Sequence, residues 1–303
     1  MSTSITTAFI KDYVADVHHV FQRKGGLLRQ CCRTKEGVIG STTTFQKIGR
    51  GVATTKARHA SVTPMNQDHT APELTLADFY AGDWVDKLDE AKVNIDERMA
   101  IAEGGAWALG RKVDDQILTV LDTTTQTAVS GTVTSSAAIR NYLLGMEEAL
   151  NALDVPNDGQ RYGVMTARMW AYAETVQQFT SRDYVDASGM PLVAGASIGK
   201  FRPYASILWT VHTGITGAGG NSGKIFAWHK SAVGYASGAS PQNVAASAGS
   251  SGGFSSPVQA DITWHGDRAA HFVNHWMSGG AVLIDDTGVI EGNHDDNEAL
   301  PTS

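Results

Sequence analysis

"WHGDRAAHFVNHWMSGGAVLIDD", residues 264–286, holds three of the chain's ten histidines, and its reading settles what kind of fold this is. His265, Asp267, His271 and His275 fall within eleven positions. On a helix, His271 and His275 stand one turn apart on one face, which is the spacing of a metal site. On a strand, His271, Val273, His275 and Met277 share a face, but the two histidines lie about 13 Å apart at ~3.3 Å per residue and cannot hold one ion. The surroundings favour the strand. "DITW" precedes and "AVLI" follows, both strand-like, and "SGG" stops any helix after two turns. No strong cap opens a helix, no glutamate sits between the histidines as in HExxH, and no third ligand is near. We expect sheet here, with strands near 258–264, 270–277 and 281–284 and a "DDTG" turn before Val289. A metal-dependent hydrolase using His265, Asp267, His271 and His275 is the competing reading.

Working upstream, "KIFAWHK" (224–230) reads as a strand and "SAVGYA" (231–236) as a short helix. Residues 237–257, rich in Gly, Ser and Ala, read as a flexible loop. The strongest helical signal covers 96–122. Met99, Ala102, Ala106, Leu109, Val113, Ile117 and Leu121 step by three or four, spanning roughly 39 Å at ~1.5 Å per residue. Gly104 and Gly105 weaken its middle by roughly 1 kcal/mol each relative to alanine, so a bend or a close helix–sheet approach is expected there. A second helix is predicted at about 136–153, with Ser135 or Ser136 as N-cap and Pro156 beyond its end. "PNDG" (156–159) is a turn, "RYGVM" a strand, Thr166 a cap and "ARMWAYAETV" a third helix. "SILWTV" (206–211) reads as a strand.

The first third of the chain differs from the rest in charge. Residues 1–60 carry ten Lys and Arg against three Asp and Glu, a net of +7, and since the whole chain carries −7, residues 61–303 carry −14. A basic leader on an acidic body binds nucleic acid or lies on the body of a neighbouring copy. Phe9, Tyr13, Val17 and Phe21, spaced by four, suggest one short amphipathic helix in an otherwise irregular arm, 1–36. "VIGSTTTFQKIGRGVATTKARH" (38–59) and "LTLADFYAG" (74–82) are extended segments around a polar loop, a long hairpin. Its apolar residues are too sparse to bury much, and an isolated ribbon is marginal in water, so it needs another surface.

Other chemistry is excluded or weak. Hydrophobic residues make up 42% of 303, enough for a sizeable core. No apolar run reaches 18 residues, and the opening lacks the pattern of a signal peptide, so a non-secreted protein without a membrane partner is expected. Cys31 and Cys32 can build neither a disulfide framework nor a CxxC site. "GAGGNSGKI" (217–225) has Ala218 where a P-loop needs its first Gly and Ile225 where it needs Ser or Thr, with a strand following instead of a helix. "GASIG" (195–199) fails the nucleophile-elbow pattern. We assign no catalytic, cofactor-binding or metal residues and expect no cofactor.

The order of elements resembles the major capsid protein of tailed bacteriophages, with the fold named for phage HK97. The resemblance covers nearly the whole chain and is carried by "DKLDEAKVNIDERMAIAEGGAWALGRKVDDQIL" (86–118), "AWHKSAVGYA" (227–236) and the terminal "PVQADITWHGDRAAHFVNHWMSGGAVLIDDTGVI" (257–290). It implies an α+β HK97-like capsid fold with an N-terminal arm (1–36) and an extended β-hairpin loop with its return (37–92). It further implies a peripheral domain with a long spine helix and sheet (93–133 and 257–292), an axial domain (134–256) and an acidic C-terminal tail (293–303). The function implied is that of a shell subunit: pentamers and hexamers of this chain enclosing double-stranded DNA, held non-specifically. Portal and a separate scaffolding protein are implied partners, with a decoration protein left open. The setting implied is the virion, assembled in the bacterial cytoplasm. Candidate subunit contacts are Arg23, Lys24, Arg29, Arg33, Phe45, Lys47, Arg50, Lys56 and Arg58. The family's lysine–asparagine cross-link does not map onto this sequence. An encapsulin-like compartment shell is the alternative on the same fold.

Overall fold

The structure is a computed structural model and describes residues 22–88, 97–131, 135–176, 202–204, 206–215, 222–239 and 259–295. A 3-10 turn at Leu28–Cys31 leads into β1 (Arg33–Val38), then four short strands, β2 (Thr42–Thr44), β3 (Lys47–Ile48), β4 (His69–Thr70) and β5 (Glu73–Thr75). β6 (Ala77–Asp86) precedes the long helix α1 (Glu97–Leu121), β7 (Thr127–Gly131) and α2 (Ser136–Ala152). β8 (Arg161–Met165), α3 (Ala167–Thr175), β9 (Arg202–Tyr204), β10 (Ile207–Val211) and β11 (Ser222–His229) follow. The chain ends its regular structure with β12 (Val233–Gly238), β13 (Gln259–His265), β14 (Ala270–Leu283) and β15 (Val289–Asp295).

The opening stretch is sheet, and β14 organises half the molecule. It pairs with β6 along Ala270–Gly279 on one side. On the other side it pairs with β13 along Ala270–Trp276 and then with β12 along Gly279–Leu283, while β1 lies parallel beyond β12. The sequence predicts two strands broken at "SGG", but the structure makes one of 14 residues. Gly279 and Gly280 are there for space: a Cβ at Gly279 would stand 2.5 Å from Tyr235 Oη, and one at Gly280 2.9 Å from Leu74 Cδ1. "SAVGYA" is likewise corrected, from a short helix to strand β12. Its residues are buried on both faces, so no one-sided pattern marks it as a strand.

α1 packs on the β14 face that carries Val273, His275 and Met277. Leu109, Val113, Ile117 and Leu121 form a buried cluster there with Met277, Val233 and Tyr235. The expected close approach occurs at Gly105, where a Cβ would meet His275 Nδ1 at 2.5 Å, while Gly104 has nothing within 4 Å.

The second sheet runs β7-β15-β11-β8-β10-β9. α2 and α3 cover one face, capped as the sequence predicts: Ala138 N–H donates to Ser135 Oγ, and Met169 N–H to Thr166 Oγ1. β11 belongs to both halves of the molecule. Ile225 and Ala227 lie in the cluster with Ile139, Leu143 and Trp209, whereas Phe226 and Trp228 lie in the cluster with α1.

The sheets cross the domain boundaries expected from sequence. β15, in the stretch expected to be peripheral, pairs with β11 of the axial stretch; β12, also from the axial stretch, completes the sheet of β14; β1 straddles the end of the arm at 36. The predicted helix over residues 9–21, residues 240–257 of the Gly/Ser/Ala-rich stretch and the tail from 296 lie outside the described residues. Among the described residues no helix is long and apolar enough to cross a membrane.

Candidate functional site

His265, Asp267, His271 and His275 do not converge. His265 Nδ1 and Asp267 Oδ1 are 4.0 Å apart at the exposed β13–β14 turn. His271 lies against Trp264 with ring centroids 4.9 Å apart and planes tilted by 58°, and His275 is buried beside the Ala81 carbonyl, 3.3 Å from its Nδ1. Among the described residues no three metal-ligating side chains are grouped.

A different trio resembles a nucleophile relay. Ser231 Oγ is 2.7 Å from His229 Nδ1, and His229 Nε2 is 3.1 Å from Asp158 Oδ1. The backbone N–H groups beside it are all engaged. Ser231 N–H donates to His229 Nδ1, Ala232 N–H to the His229 carbonyl and Lys230 N–H to the Gln160 carbonyl. None is left to form an oxyanion hole from this turn. The trio ties the β11–β12 turn to the "PNDG" turn. The Gln160 N–H and then the His229 ring hold the Asp158 carboxyl below its ordinary 3.8.

The hairpin is shorter than the sequence suggests: its ladders join 42–48 to 69–75, while residues 77–82 of the expected return arm belong to β6 and pair with β14. β2 pairs with β5 and β3 with β4, and Gly49 N–H donates to the Asp68 carbonyl at 2.7 Å. A small core of Val38, Phe45, Leu74, Ala236 and Ile284 seats its base. Every residue from 52 to 71 is exposed, including Val52 and Val62 at 72% each and Met65 at 51%. Apart from Met65, whose sulfur lies over Gly51, these apolar side chains lie against none of the buried clusters of their own chain.

The contact candidates divide sharply. Lys56 and Arg58 stand exposed on that loop. Phe45 is buried in its own chain with the Arg33 guanidinium 5.8 Å from its ring. Arg29 pairs with Glu36, Arg23 with Asp115 at 2.9 Å, and Lys24 lies 4.6 Å from the Trp107 ring. Lys47 pairs with Asp285 at 2.8 Å and Arg50 with Asp154 at 2.6 Å, across a cavity of about 800 Å³ between hairpin base and body.

The Lys47–Asp285 pair gives the hairpin base an acid response. Burial raises the Asp285 carboxyl, but the Lys47 ammonium and the Thr287 hydroxyl and N–H outweigh it and hold it below 3.8. A carboxylate lowered on folding stabilises above its unfolded value and loses that contribution as pH falls through the folded value. Both partners are about a third exposed, so the effect is of order 0.5 kcal/mol. Protection of the Gly49 amide against hydrogen exchange should therefore drop below about pH 4. The drop should be absent in Asp285→Asn; an unchanged acid profile in that variant would show the pin lies elsewhere.

Sequence reasoning missed how the arm is anchored. Gly25 and Gly26 cross α1 at Gly110, where Gly26 N–H donates to the Gly110 carbonyl at 3.0 Å. A side chain at Gly25 would overlap the Gly110 backbone. Leu28 N–H donates to the buried Asp114 carboxylate at 3.0 Å, and Trp228 Nε1–H to the Cys31 carbonyl at 2.9 Å. The doubled glycine in "RKGGLLRQCC" (23–32) and the glycine at 110 were the available signal. Burial, with the Asp114 charge adding to it, drives the Cys31 thiol far above 9.0; Cys32 is raised by burial, its neighbour Cys31 and Asp114. Neither thiol should react with an aromatic disulfide reagent at neutral pH until the chain is denatured. Rapid modification of native protein would show that the anchored turn opens.

A long helix on a long sheet, a second sheet carrying helices, and a hairpin with an uncovered outer half make up the architecture of phage capsid subunits. The capsid of cyanophage P-SCSP1u shares it at TM-score 0.71 and 13% identity, over 97% of this chain and 95% of that one. Mycobacterium phage Che8 matches at 0.70 and 15%, over 96% and 98%. The capsid of Ralstonia phage GP4 matches at 0.67 and 13%, over 97% of each chain. No curated protein matches. The profile of the phage capsid protein family fits residues 5–296, and the chain belongs to that family.

Proposed function

We propose that this chain is the major capsid protein of a tailed phage, closing as pentamers and hexamers into an icosahedral shell around double-stranded DNA. The observation that carries the reading is the hairpin, whose residues 52–71 are all exposed and include Val52, Val62 and Met65. Isolated apolar side chains on a surface are ordinary, but a whole loop whose residues are all exposed is a poor use of chain in a monomer. A neighbouring copy supplies the missing surface, and Lys56 and Arg58 then meet a body that carries the chain's excess of acid. The arm, extended loop, peripheral and axial divisions of an HK97-like subunit belong to this proposal, as do a portal, a separate scaffolding protein, an optional decoration protein and assembly in the host cytoplasm.

Electron microscopy and sedimentation of the protein, expressed alone and with its neighbouring gene products, test it. Closed megadalton shells are expected in at least one condition. Compact monomers or small oligomers in every condition would refute it.

A further inference from the structure

Three parts of the chain meet on one buried histidine where the arm joins the body. His212 directly follows β10 and is 2% exposed; Asp114, on α1, is 0% exposed; Arg23 comes from the arm. A cavity of about 360 Å³ lies among them, lined also by Lys24, Trp170 and Thr210. The contacts assign the ring proton. His212 Nδ1 accepts from Gly214 N–H at 3.0 Å and stands 3.2 Å from Arg23 Nη1. Both neighbours are donors, and arginine has no acceptor, so Nδ1 carries a lone pair and the hydrogen sits on Nε2. Nε2 faces Asp114 Oδ2 at 3.7 Å, too long for a hydrogen bond, and neither atom has another hydrogen-bond partner among the described residues.

We propose that His212 is a proton-operated latch that holds the arm against α1 when neutral and lets its outer part go when charged. A proton added to the ring must go on Nδ1, the nitrogen with the lone pair. That turns an acceptor into a donor facing two donors, the Gly214 N–H and the Arg23 guanidinium. The new charge also repels Arg23 and Lys24 and is drawn to Asp114. Asp115 keeps a partial hold on Arg23 through its 2.9 Å pair. Leu28 bonds Asp114 through Oδ1, the oxygen turned away from this exchange, so it stays fixed. Between the fixed and released ends lie Gly25 and Gly26 at φ 74° and 73°, a conformation that glycine adopts without strain. The latch stands on the single chain and does not depend on how shells form.

Hydrogen exchange on the full-length subunit, corrected for the intrinsic pH dependence of exchange, reads it at two amides. Gly26 donates to the Gly110 carbonyl, and Leu28 to Asp114. Between about pH 7.5 and about pH 5.5, Gly26 protection should fall about tenfold and Leu28 protection less than about twofold. His212→Asn puts an amide oxygen where Nδ1 stands and cannot take the proton, so Gly26 protection should be flat across that range. Arg23→Gln changes a partly exposed side chain; it should show the low Gly26 protection already at neutral pH, again flat. A pH step that persists in either variant, equal losses at Gly26 and Leu28, or no step in the unsubstituted protein would overturn the latch.

Discussion

With residues 50–67 replaced by an Asn-Gly turn, the subunit is expected to fold and shells are expected to be absent. Gly49 and Asp68 already face each other across the hairpin, so a two-residue turn closes it in register. The removed segment is exposed almost throughout and takes no side chain from any buried cluster. The lost Arg50–Asp154 pair, at 82% and 67% exposure, contributes about 0–1 kcal/mol. Shortening the loop ninefold recovers closure entropy of roughly 2 kcal/mol, enough to offset that loss. Calorimetry of the variant should therefore show a melting transition close to the parent's. Sedimentation beside the parent, with the same gene products present, should show no particles. Shells at normal yield would remove the hairpin from assembly, and an unfolded variant would show that the loop supports its own chain.

The largest effect on subunit stability is expected at Gly105. The His275 ring below it is buried and set beside the Ala81 carbonyl of β6, so it has no space to retreat. A Cβ would come within 2.5 Å of Nδ1, 3.0 Å of Cε1 and 3.1 Å of Cγ. Gly105→Val must lift α1 from β14, at a cost of about 3 kcal/mol or more. Gly104→Ala is the paired control. It faces open space and should gain up to about 1 kcal/mol from helix propensity alone. Urea midpoints measure both. Equal shifts for the two variants would mean that the helix does not approach the sheet as described.

What could be read from the sequence was whatever its local pattern encodes. The stripe from Leu109 to Leu121, the caps at Ser135 and Thr166, and the strands around "RYGVM" and "KIFAWHK" all stand where periodicity and cap chemistry put them. β12 was missed because a short apolar run buried on both faces has no period to distinguish strand from helix. Gly279 and Gly280 resembled a break, since nothing local reveals Tyr235 and Leu74 across from them. The charge asymmetry was visible, but the partners were not. Asp154 lies 104 positions from Arg50, and Asp115 lies 92 from Arg23. The arm's anchorage at Asp114 and His212 depends on contacts of the same long range.

The sheet around β14 also sets a timetable. β1 waits for β12, and β6 waits for β14, each partner lying in the last third of the chain. At about 5–20 residues per second, synthesis takes on the order of 10 to 40 s to travel between such partners. During that interval β6 offers an unpaired edge with Tyr80 and Trp84 on it, a hazard for association with other nascent chains. Pairing at such sequence separation is also slow in itself. The same delay acts as quality control. A chain truncated before β14 lacks both the strand on which α1 rests and Ile284 from the core that seats the hairpin, so it should fail to enter a growing lattice as a defective part.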